Sequence, residues 1–202
     1  MKVKRAQFIE GCHYLLDEFR GSHPEVQAKL LILYNSSCYG SNLWDLFGDW
    51  CRKLWTSWNI DLREIWKLPY ETHRYFYEHL TECRHLKVLL SKRFLTFVNS
   101  IVSGSKQSCK LLLRLNARNC DSPTGKNIRN IELESNLHVA LESTKGMISQ
   151  ICKNLHFEES PKNFDWKISL MKELSLLKSG HLVVENFEEN DLTSMLKLIC
   201  CS

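Results

Sequence analysis

From Leu43 the apolar residues run three or four apart without a break: Leu43, Phe47, Trp50, Leu54, Trp58, Leu62 and Ile65. Asp45, Asp49, Lys53, Thr56 and Arg63 fall between them. A helix with that spacing sets one wide stripe against a core and leaves one polar face. A strand would alternate with period two, so a pattern this long commits the segment to helix. Pro69 ends it, because proline disfavours helix at Leu68 and cannot donate its own backbone bond.

The same period recurs along the chain. Leu86, Leu90, Phe94, Phe97 and Ile101 form a second stripe, closed by Ser103-Gly104-Ser105. Leu111, Leu112 and Leu115, with Cys109 beside them, make a shorter third. Upstream, Phe8, Cys12, Leu15, Leu16 and Phe19 predict a helix that Gly21 ends, and Pro24 opens another reaching Tyr34. Ser122-Pro123-Thr124-Gly125 is a turn-and-cap signature. Beyond it the pattern weakens, with short helices expected near 127–133 and 143–155 and a linker over 158–161. Phe164, Ile168, Met171, Leu174 and Leu177 predict a helix that Gly180 caps. Leu192, Met195, Leu196 and Ile199 belong to the last one, and Leu182-Val183-Val184 is a lone strand-like run. The expected fold is all-α: a multi-helix body over 1–118 and a smaller helical extension over 119–202, joined near 119–126.

Hydrophobic residues at 44% and charged residues at 25% are ordinary for a soluble globular chain. The nine cysteines are odd in number, and Cys200 and Cys201 are the lone adjacent pair. With no secretory signal in the basic opening Met-Lys-Val-Lys-Arg, they argue against a disulfide framework and for an intracellular, reducing compartment. Cys12, Cys38, Cys51 and Cys109 lie in or beside helical apolar patterns, where a thiol packs as a small hydrophobe. No apolar run approaches the roughly 20 residues needed to span a bilayer. The net charge of +4 is unevenly spread. Residues 50–130 hold 15 Lys+Arg against 6 Asp+Glu, residues 1–49 hold 5 against 6, and residues 131–202 hold 7 against 11. A basic centre between neutral and acidic ends points to a polyanion-facing element.

Several stretches together resemble one family. YNSSCYGSNLWDL (34–46) is similar to the block that follows the polymerase palm in non-LTR, LINE-type retrotransposon reverse transcriptases, especially jockey-like ones. The likeness continues through SWNIDLREIWKLPYETHRYFYEHL (57–80), RHLKVLLSKRFLTFVNSI (84–101) and SPTGKNIRNI (122–131), and reaches LKSGHLVVENF (177–187) and LKLICCS at the end. The family polymerises with a pair of metal-binding aspartates in the palm, and this chain has no Asp-Asp. The resemblance therefore implies a thumb and post-thumb region without the catalytic part, contacting template–primer duplex. A separately encoded palm is the implied protein partner, and the chain itself is expected to be no enzyme and to need no cofactor. Two other roles stay open: a helical protein-interaction domain, and an inactive fragment with no independent role.

Residue constellations narrow the chemistry. His73, His79, Cys83 and His85 are close in sequence, but their spacing matches no standard zinc pattern, and capping or solvated histidines are the favoured reading. Nothing resembles a nucleophile elbow or a HExxH helix. Ser122 to Lys126 superficially resembles a phosphate loop, yet lacks its leading glycine and spacing; a turn and helix start fits better. Trp50 and Trp58 lie on the long stripe and read as core, whereas Trp44, Trp55 and Trp66 lie off it and either widen the buried face or stack on bases. The basic side chains carry the functional expectation. Arg52, Lys53, Arg63 and Lys67 sit on the polar face of the long helix, and Arg74, Lys92, Arg93, Lys110, Arg114 and Arg118 continue the surplus. Lys126 and Arg129 stand by a helix N-terminus, where a phosphate meets backbone donors. Such a set gives either sequence-independent, salt-sensitive phosphate binding or an ordinary solvated face.

Overall fold

A computed structural model describes residues 2–35, 38, 40–73, 75–81, 85–155, 165–181 and 189–200. Among these the chain is all-α: ten helices, one 3-10 turn and no strand. The helices are α1 (Lys2–Glu18), α2 (Pro24–Asn35), α3 (Asp49–Ile65), α4 (Tyr75–Thr81), α5 (Leu86–Ser103), α6 (Gln107–Arg118), α7 (Pro123–Ser135), α8 (Lys145–Asn154), α9 (Asp165–Lys178) and α10 (Glu189–Cys200). The 3-10 turn is Ser41–Leu43. None of the helices is long and apolar enough to cross a membrane. The strand-like run at Leu182 and the linker over 158–161 lie outside the described residues.

Two compact units share these helices, and neither is continuous in sequence. The first is Met1–Ser37, Thr56–Cys83 and Glu158–Ser202; the second is Cys38–Trp55 and Arg84–Phe157. The chain passes between them inside α3. The expected join at 119–126 falls within the second unit, because the turn there binds α7 tightly to α6.

In the first unit α1 and α2 form a hairpin, α4 packs on α2 and α9, and α10 packs on α9. Phe8, Cys12, Ala28, Leu31, Trp58, Leu62, Ile65, Trp66, Phe76, Leu80, Met171, Leu174 and Leu196 make its core. Phe8 and Trp58 meet with ring centroids 6.2 Å apart. The Ser175 hydroxyl donates to the Trp66 carbonyl at 2.5 Å and holds α9 to the end of α3. That end is a Schellman turn: Lys67 takes φ 51, and the Leu68 N–H reaches the Arg63 carbonyl at 3.0 Å. α3 therefore stops at Ile65, four residues before Pro69, on its own cap. α9 ends as the glycine predicts, with Gly180 at φ 76 and the His181 N–H on the Leu176 carbonyl.

In the second unit α5 is central, packing against the 3-10 turn, α6 and α8. Leu46, Cys51, Leu54, Leu86, Val88, Leu90, Phe94, Leu95, Val98, Leu113, Ile131, Ile148 and Ile151 fill the interior. The stripe expected from Leu43 does not begin there. Leu43 is 69% exposed, and the Asp45 carboxylate accepts from the Phe47 N–H at 3.2 Å. Such a side-chain turn competes with helix, so α3 starts only at Asp49, with the Arg52 N–H on the Gly48 carbonyl. Asn127, fully buried, bridges distant chain: its Oδ1 accepts from the Leu46 N–H at 2.8 Å and its Nδ2 donates to the Trp44 carbonyl at 2.7 Å.

The turn signature behaves as expected. Ser122 caps α7, its Oγ accepting from the Gly125 N–H at 2.9 Å, and Pro123 opens the helix. Gly125 faces the Asn119 carbonyl so closely that a Cβ there would lie 2.1 Å from its oxygen. The third stripe is turned the other way from expectation. Leu113 is buried, while Leu111, Leu112 and Leu115 are 60, 59 and 55% exposed, and Cys109 is exposed with them. α6 packs on α5 and α7, and Leu113 is its one buried residue. Cys12 and Cys51 are buried as small hydrophobes. Burial, with Asp45 and Cys38 adding to it, pushes the Cys51 thiol up to about 12 and keeps it protonated.

Candidate nucleic-acid interface

The basic side chains divide between the units. Arg52, Lys53, Lys92, Arg93, Lys110, Arg114, Arg118, Lys126 and Arg129 belong to the second, Arg63 and Lys67 to the first; Arg74 lies outside the described residues. Charge divides the same way. The second unit carries 14 Lys+Arg against 6 Asp+Glu, or +8, and the first carries 13 against 17, or −4. The stretch from Cys83 to Cys120, which holds α5 and α6, contains eight Lys and Arg and no acidic residue. Local repulsion among like charges on rigid helices is tolerated only at modest cost in water, and it falls when an anion binds.

On α6, Lys110, Arg114 and Arg118 are spaced four apart and form one row along the helix. Arg114 and Arg118 are exposed, Lys110 is half-buried, and Arg114 lies 3.6 Å from Glu142. Lys106, exposed at the start of the helix, belongs with them. It was not among the expected residues; the acid-free run is the signal that includes it. On α5, Lys92 is exposed. Arg93 is half-buried, and its guanidinium acts on the Cys38 thiol, opposing the larger effect of burial, which raises that thiol.

The other expected residues are more engaged locally. Arg52 pairs with Asp49 one turn back at 3.2 Å, and both are exposed, so the pair contributes little. Lys126 stands 4.0 Å from Asp45. Arg129 donates to the Cys120 sulfur at 2.6 Å. The Gly125 N–H in the first turn of α7 is occupied by the Ser122 hydroxyl and Pro123 has none to offer, so the helix start resembles a phosphate site less than the sequence implies. In the first unit Arg63 donates to the Tyr70 carbonyl at 2.9 Å, its guanidinium 4.5 Å over the Tyr70 ring. Lys67 is exposed at the left-handed position that ends α3.

The tryptophans mostly pack. Trp58 and Trp66 are fully buried, so Trp66 widens the core. Trp50 is only half-buried and meets Trp44 edge-on at 4.5 Å; Trp55 lies edge-on to Phe47 and His85. Lys87 sits over the Phe47 and Trp55 rings and pairs with Glu134, which removes it from the exposed set. His85 caps α5, its Nδ1 accepting from the Lys87 N–H at 3.2 Å, as the capping reading expected. His73 and His79 are exposed, Cys83 lies outside the described residues, and no metal-binding cluster occurs among those described.

Compared with known proteins, the chain matches no family model, and neither a curated protein nor a solved structure matches it.

Proposed function

We propose that the second unit is a non-catalytic module that holds a nucleic-acid duplex by its phosphates. The observation that carries this reading is the acid-free α5–α6 stretch, with Lys92, Arg93, Lys106, Lys110, Arg114 and Arg118 on two consecutive helices of a +8 unit. Fixed cations of this kind release condensed counterions on binding and read no sequence. The resemblance to the post-palm region of non-LTR retrotransposon reverse transcriptases supports the same reading and implies template–primer duplex as the ligand. It also implies a separately encoded palm as the polymerising partner, since the seven aspartates of this chain are dispersed, with no adjacent pair to hold two metal ions.

The test is duplex binding by the purified chain as a function of salt. Duplexes of unrelated sequence are expected to bind about equally, with log affinity falling by about 0.9 per phosphate neutralised for each log unit of salt on B-form DNA. Changing Lys92, Arg93, Arg114 and Arg118 together to Glu is expected to flatten that slope by roughly three to four units and keep the helical signal. Changing Lys172 and Lys197, which belong to the first unit, is expected to do little. Binding that ignores salt, or that survives the fourfold reversal, refutes the proposal.

A further inference from the structure

α6 carries a feature that duplex binding does not use. At 100° per residue, Leu111, Leu115 and Leu112 span an arc of roughly 100°, on the side of the helix away from buried Leu113. All three are more than half exposed. A contiguous apolar patch edged by charge marks an interaction site more often than scattered exposed leucines do. The basic row of Lys110, Arg114 and Arg118 runs along one edge of this arc.

We infer that α6 docks an acidic amphipathic helix of another protein. The patch needs an apolar cover, and the row beside it needs carboxylates. A phosphate backbone supplies charge without covering three leucines. A second copy of α6 supplies leucines but no carboxylate for the row, since the stretch from Cys83 to Cys120 holds no acidic residue. A helix with leucines at i and i+3 or i+4, and Asp or Glu four apart along the seam, supplies both. Glu142, 3.6 Å from Arg114, already shows a carboxylate meeting this row.

The experiment uses the full chain and a fluorescent, capped peptide with two adjacent leucines in every turn and glutamate elsewhere, beside a scrambled peptide of identical composition. Fluorescence anisotropy is expected to show binding of the first and not the second. Leu111→Gln with Leu115→Gln is expected to weaken it by at least about tenfold, and Arg114→Gln with Arg118→Gln several-fold. Both pairs sit at exposed positions, and circular dichroism checks that the helices persist. The leucine pair is expected to leave duplex affinity unchanged, so a failure here is distinct from failure of the duplex proposal. Equal binding of the scrambled peptide, indifference to the leucine pair, or no peptide binding overturns the inference. So does leucine-dependent binding to phosphatidylserine-containing vesicles in place of the peptide.

Discussion

Asp61 offers a test of the first unit's interior through pH. Its side chain is 5% exposed on α3, and its Oδ2 has no hydrogen-bond partner. Burial, the largest effect, pushes its carboxyl from 3.8 up to about 6; a hydrogen bond with Cys12 and the charge of His13 oppose the rise, and Glu64 adds to it. The folded state therefore holds this proton more tightly than the unfolded chain does. Stability from this group is fully present below about pH 4 and is lost as pH rises through about 6. At about 1.36 kcal/mol for each tenfold change in proton affinity, the rise from 3.8 to about 6 makes the charged form cost about 3 kcal/mol at neutral pH. Asp61→Asn keeps the shape and removes the titration. Urea unfolding is the assay, run on both proteins from about pH 4 to 7.5. The difference between them cancels the other carboxylates, which titrate alike in both. The Asn variant is expected to match the parent near pH 4 and to exceed it by about 2–3 kcal/mol above pH 7. Parallel stability curves, offset by a constant or not at all, would mean that the buried charge carries no such penalty and that the packing around α3 is wrongly understood.

Gly125→Ala is expected to cost about 2–3 kcal/mol or more in a thermal or urea melt, because its methyl would meet the Asn119 carbonyl and push α7 off α6. Trp58→Ala is expected to cost about 3–5 kcal/mol, as it empties a buried site against Phe8; a melting point within a degree or two of the parent would contradict that placement. Asn127→Ala should cost about 2–4 kcal/mol, since it strips partners from the Leu46 N–H and the Trp44 carbonyl, and hydrogen exchange should show the segment at 44–46 opening first.

What was legible in the sequence was local. Pro24 opens α2, Ser122 and Pro123 open α7, and Gly180 closes α9, each where the sequence pattern places it. Caps act over three to five residues, so the residues that decide them are neighbours in the chain. The stripe from Leu54 to Ile65 is buried as its period predicts, since a 3.6-residue repeat sorts side chains by helix geometry alone. The start of α3 was less visible: the apolar spacing runs on through Leu43 and Phe47, while a single Asp45 carboxylate turns the backbone away from helix.

The tertiary structure decided the rest. The expected stripe of α6 was Leu111, Leu112 and Leu115, yet Leu113 is the leucine that α5 and α7 bury, and only their positions select that side. The basic centre was visible as a run of charge over 50–130, but α3 distributes it to two units, and the +8 and −4 balances emerge only from which distant segments fold together. Asn127 meets Leu46 across 81 residues, a pairing no local pattern announces. Helix type, caps and periodicity follow from forces between near neighbours, which the sequence displays directly. The choice of buried face, the partition of charge and the tightness at Gly125 follow from contacts between segments far apart in the chain, which exist only once it has folded.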